Sequence, residues 1–283
     1  MDERQTMDRI LALLNETRER AHVADRFQKQ AERFEHEFEN IATPDDAYGV
    51  RVTAIPRSPD FPRLEKVLDS SSQLVAGLKK PVVQVTREYT FDRPATSLAS
   101  MTTAQRFTPN WRPLLRAARV EDPDAPSDKR FLFRYLEIHC DGVIEYGLVD
   151  NFKRGLAPEP ERLSLYGDSV IAQVAVVAGW VDSLREFAGA TCAEYAIEVA
   201  ISARDQPLLV RPWGAGSGGS YYERLTGEEL PSGTQLVLGR RYPYTIQGEH
   251  QALSPVLLSR VDMDLCHAAG FRYLDGQSLT LTG

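Results

Sequence analysis

Residues 131–150 read FLFRYLEIHCDGVIEYGLVD, residues 169–190 read SVIAQVAVVAGWVDSLREFAGA, and residues 194–202 read EYAIEVAIS. The first segment has two apolar-alternating runs around Asp141-Gly142. That dipeptide is a strong two-residue hairpin signal, because a type I′ turn needs positive φ at both central residues. A two-residue loop pairs Cys140 with Val143, His139 with Ile144 and Glu137 with Tyr146, which puts Glu145 on the opposite strand face from Glu137. The second segment carries apolar residues at 170, 171, 174, 177, 178, 181, 184 and 187. They cover more than one helical face, so a central, mostly buried helix is expected over 168–188, capped by Asp168 and ended by Gly189. In the third segment Tyr195, Ile197, Val199 and Ile201 alternate with Glu194 and Glu198, the pattern of a half-exposed strand. Hairpin, helix and strand together predict an α+β fold: a mostly antiparallel sheet flanked by helices.

Working outward, Tyr48–Ile55 alternates as a strand stopped by Pro56. Ser254 and Pro255 open a helix that Gly270 closes. Upstream of Pro44, residues 1–42 read as one long amphipathic helix, an arm on a globular domain over 48–283. Met7, Ile10, Leu14, Thr17, Ala21, Ala24, Gln28, Ala31, Phe34, Phe38 and Ile41 follow alternating three- and four-residue steps. This is a coiled-coil-like seam with weak positions at Thr17 and Gln28, the latter beside Phe27. A lone helix exposing such a seam is poorly stable in water. It needs a partner: either the chain's own domain, or a second protein or second copy docked on Leu14, Phe34, Phe38 and Ile41.

Chemistry is sparse. The chain has 283 residues, a net charge of −7 and three cysteines without C-x-x-C spacing. The cysteines suit reduced thiols in a cytoplasmic protein, no apolar run is long enough to span a bilayer, and the charge opposes tight nucleic-acid binding by the chain alone. One stretch, 106–134, runs against that balance. Arg106, Trp111, Arg112, Arg116 and Arg119 interleave guanidinium with aromatic groups, as a nucleic-acid surface requires, although acids follow directly. Glu137 and His139 share a strand face with Asp141 and offer a second possibility, a small hydrolytic polar site. The simpler reading is a solvated outer strand face. GAGSGGS (214–220) lacks the lysine of a phosphate loop and reads as a surface loop. No catalytic constellation, metal site or cofactor motif emerges.

Four landmarks occur in order: a charged helix leading to the strand VRVTAIP (50–56), the hairpin around DGVIEYG (141–147), the helix–strand pair quoted above, and PVLLSRVDMDLCHAAGF (255–271). In that order they resemble the region downstream of the Schlafen AlbA-type, divergent ATP-binding domain in prokaryotic proteins. The chain departs from the pattern at His139-Cys140-Asp141 and at Leu265-Cys266-His267. The AlbA-type domain itself is not among these residues, so none of its binding residues transfers. The unsatisfied seam and the absence of a catalytic constellation point to a non-enzymatic interaction or regulatory module, and the resemblance implies an accessory component of a prokaryotic defence or mobile-element system. A nucleic-acid-contacting protein and a hydrolase around His139 stand as the alternatives.

Overall fold

A computed structural model describes residues 3–40, 46–64, 85–89, 93–97, 112–113, 117–123, 132–154, 161–211, 228–240, 242–248, 254–270 and 277–281. The expected α+β architecture is present. Helix α1 (Glu3–Asn40) precedes strands β1 (Tyr48–Pro56), β2 (Val85–Tyr89), β3 (Arg93–Ser97), β4 (Arg112–Pro113), β5 (Ala117–Pro123), β6 (Leu132–His139), β7 (Ile144–Asp150), β8 (Lys153–Arg154) and β9 (Arg162–Tyr166). Helix α2 (Gly167–Ala188), strands β10 (Tyr195–Ala203), β11 (Leu208–Arg211), β12 (Glu228–Leu230), β13 (Gln235–Leu238) and β14 (Tyr244–Ile246), helix α3 (Pro255–Ala268) and strand β15 (Gln277–Leu281) follow.

The main sheet has the order β13-β10-β1-β7-β6-β5-β4, with β14 also pairing β10, and every pair is antiparallel. Two smaller sheets flank it, β12-β11-β9-β8 and β15-β2-β3; among the described residues only β9 and β11 run parallel.

Alternation gives the main sheet two faces. On one, Val50, Val52, Ala54, Leu136, Ile138, Tyr146, Ile197 and Val199 pack with α2 and α3 in a single apolar core. α2 is buried along almost its whole length, as its all-round apolar pattern requires. Its first turn holds Asp168, but the N-cap is Tyr166 without a side-chain bond; Asp168 contributes through the helix dipole instead. Gly189, at φ 64°, ends it with bonds to Arg185 O and Glu186 O. Ser254 caps α3 by accepting from Val256 N, ahead of Pro255.

The opposite face is covered by the second half of α1. Val23, Phe27, Gln30, Phe34 and Phe38 are the residues that α1 buries. This stripe departs from the expected seam in the middle of the helix. Val23, Phe27 and Gln30 face the sheet, while Ala24 and Gln28 turn outward. Bulk decides the rotation, because Val and Phe bury more apolar area than Ala. Gly49 lies under Phe34, where an added Cβ would come within 2.9 Å of the ring. The arm expected over 1–42 is therefore only half an arm: from about Arg18 onward α1 is a layer of the domain.

Candidate functional site

The hairpin corrects the expected turn, and the correction assembles a site. His139 N donates to Val143 O at 2.8 Å and Gly142 N donates to His139 O at 3.0 Å. The loop thus has three residues, Cys140-Asp141-Gly142, with Gly142 at φ 85° as the bulge residue. Two contacts lock it. Phe61 occupies the space a Cβ on Gly142 would need, and Tyr195 Oη donates to Gly142 O at 3.2 Å. The added residue shifts the register, so Glu137 pairs with Glu145 rather than Tyr146. A one-residue shift turns a strand's side chains over, and Glu145 joins Glu137 on one face.

That face is not solvated, as a plain outer strand face would be. Glu137 and Glu145 are fully buried under α1. Arg33, from α1, pairs with Glu137 and lies 3.1 Å from Glu145 Oε1. Arg119, from β5, donates to Glu37 at 2.5 Å and to Glu137 Oε1 at 2.9 Å. Tyr135 Oη donates to Glu145 Oε1 at 2.7 Å, and the Arg119 guanidinium stacks 4.0 Å from the Tyr135 ring centre. The ring fits because position 147 is glycine: a Cβ there would overlap it. His139 Nε2 lies 3.2 Å from Glu137 Oε2. At the hairpin tip, Asp141 is paired with Arg26 of α1.

Burial alone would raise the Glu137 carboxyl. His139, Arg33 and Arg119 outweigh it and hold its pKa at about 2. Burial works against the Arg33 charge too, but Glu145 and Glu137 overcome it and raise its pKa. Burial and the neighbouring Glu145 push the Tyr135 phenol well above its ordinary value. Glu137 and His139 are brought together as the sequence suggests, but inside an ion-pair network whose carboxylates already have arginine partners. What this arrangement does chemically is hold α1 to the sheet. Among the described residues no group of three His, Cys, Asp or Glu side chains is placed to hold a metal ion.

The arginine stretch is divided. Arg119 is buried, and its charge serves Glu37 and Glu137 rather than a phosphate. Arg112 stands on β4; Arg106, Trp111 and Arg116 lie outside the described residues, as do GAGSGGS and Ile41. Missing from the sequence reading are Arg33 and Glu37, and Glu145 is placed there on the wrong face. Arg33 and Glu37, one turn apart and beside Phe34 and Phe38, were the available signal.

The proposed docking seam is divided as well. Phe34 and Phe38 are 1% and 3% exposed and belong to the chain's own core, because the sheet offers them Ala47, Tyr135 and Val149. Leu14 is 61% exposed. With Met7, Ile10, Leu11 and Leu13 it forms an apolar helix end, exposed by 47–61% per residue. Beyond that end, Arg18–Asp60 and Glu19–Arg57 tie α1 to the domain. Among the described residues no helix is long and apolar enough to cross a membrane. No family model, curated protein or solved structure matches the chain, so the geometry is the basis for reading its function.

Proposed function

We propose that the chain is a non-enzymatic interaction module: an α+β body that presents the first four turns of α1 to another protein. One observation carries this reading. Of eight exposed large apolar side chains among the described residues, five lie between Met7 and Leu14. At about 100° per residue they span an arc of roughly 160°. Isolated exposed apolar residues are ordinary, but a contiguous apolar stripe marks an interaction surface. The arc is wider than a two-helix seam, and it suits a helix laid in a groove or joined to a bundle. Residues 3–17 of α1 span about 22 Å at 1.5 Å per residue. The likeness to regions downstream of Schlafen AlbA-type domains supports an accessory or regulatory role and a partner within a prokaryotic defence or mobile-element system.

The first partner to test is a second copy. In light scattering, the wild type is expected above its 31.7 kDa chain mass and the Leu11→Glu/Leu14→Glu variant at that mass. The melting temperature of the variant stays within a degree or two of the parent, since surface changes away from packed features cost about 0.5 kcal/mol or less. A wild type of one chain mass at every concentration removes self-association. A collapsed melting temperature puts the helix end in the core and removes the reading altogether.

A further inference from the structure

A groove of about 680 Å³ lies between the second half of α1 and the β10–β13 side of the sheet. It lies on a different part of the molecule from the exposed helix end. Phe27 and Ala31 of α1 and Val237 of β13 form apolar walls. Four carboxylates line it, Glu32, Glu35, Glu39 and Glu198, against two arginines, Arg51 and Arg240. Arg51 is already committed: its Nη2 donates to Glu198 at 2.6 Å, and it is 1% exposed. The partners of Glu32 and Glu35 are neutral. Gln28 donates to Glu32 at 2.8 Å, and Ser202 and Gln235 each donate to Glu35 at 3.1 Å. The line Glu32–Glu35–Glu39 on one face of α1 therefore carries negative charge that these hydrogen bonds do not neutralise.

A second, independent feature borders the same groove. β13 ends the order of the main sheet, and among the described residues no strand pairs with its outer side. Gln235 and Val237, which line the groove, alternate with Leu236, as the pleat requires. An open edge of this kind takes up an extended chain through main-chain hydrogen bonds, and the neighbouring pockets choose its side chains.

We propose that the β13 edge and the groove beneath α1 form a β-addition site for an extended peptide with Lys or Arg at alternate positions. Side chains two residues apart on a strand are about 6.8 Å apart, and Glu32 to Glu39 spans about 10.5 Å of helix. Two successive basic side chains of an added strand fit within that line.

The test uses a fluorescent hexapeptide of alternating valine and lysine, titrated against the full chain by polarisation. Saturable binding is expected, with at least about a tenfold loss for a peptide N-methylated on alternate backbone nitrogens, which keeps the charge but loses strand pairing. Glu32→Lys/Glu39→Lys, both exposed positions, is expected to weaken the lysine peptide by at least about tenfold and to favour a valine–glutamate peptide instead. Hydrogen exchange at β13 is expected to be fast in the free chain and slowed by peptide. The proposal falls if the lysine peptide does not saturate below about 1 mM or if N-methylation changes nothing. It falls equally if charge reversal has no effect or if the outward amides of β13 are already protected without peptide. The Leu11→Glu/Leu14→Glu variant binds the peptide as the parent does, so the helix-end reading and this one stand or fall separately.

Discussion

On the α2 face of the main sheet stand Val50, Val52, Ile197 and Val199; at intervening positions on the α1 face stand Arg51, Thr53 and Glu198. Both faces are buried, and the same strands supply both. The first face is filled mainly by apolar volume, with Val, Ala, Ile and Trp side chains of α2, and its buried Arg185 is held by backbone carbonyls at the helix end. The second needs a named partner for each charge, because a buried unpaired ion costs several kcal/mol. The α2 face therefore contributes stability through area. The α1 face makes stability depend on each buried charge keeping its partner. Arg33 and Glu37 are one turn apart. Sliding α1 by that turn would set Glu37 against Glu137 and Glu145, like charge on like charge in a dry site. The ion pairs thus fix where along the sheet α1 sits, and with it how much of its apolar N-terminal end projects.

The largest test of this contrast is Glu137→Ala. It leaves Arg33 and Arg119 facing a lost partner, and chemical denaturation is expected to show a loss of about 3–5 kcal/mol. A loss under about 1 kcal/mol would mean the α1 face is wet, and the contrast between the faces would be gone. Acid probes the same carboxylate without mutation. The folded-state pKa of Glu137, about 2, is depressed below its ordinary 4.5. Its contribution is therefore fully present above about pH 4.5 and is lost as pH falls towards 2, amounting to about 3 kcal/mol. Denaturation midpoints measured from pH 6 down to 2.5 should drop over that window, and Glu137→Gln should flatten the drop.

Gly147→Ala is the next in size. Its Cβ would meet the Tyr135 ring, and displacing that ring disturbs its bond to Glu145. Overpacking of this kind costs about 1–3 kcal/mol. On the α2 face, Ile197→Val removes one methylene from the apolar core and is expected to cost about 0.5–1.5 kcal/mol, with no change in its pH dependence. If both faces respond to pH alike, the charged layer is not confined to α1.

The sequence by itself determined the elements whose signals are local. α2 follows from its unbroken apolar pattern, α3 from Ser254-Pro255, the ends of β1 from alternation and Pro56, and the hairpin's location from Asp141-Gly142. Together these were enough for the α+β class. Tertiary structure decided which way each element turned. Asp-Gly serves a two-residue loop and a three-residue bulged loop alike, and packing of Phe61 and Tyr195 on Gly142 selects the longer one. That single residue moved Glu145 across the sheet and made the Glu137 cluster, which no spacing along the chain encodes. The rotation of α1 was equally hidden, since its heptad steps and its buried stripe differ by one residue at Val23, Phe27 and Gln30. A helix's own periodicity says that it has a face to bury. Which of two adjacent stripes is buried depends on the shape and charge of a surface that residues a hundred positions away create, and that surface exists only once the chain has folded.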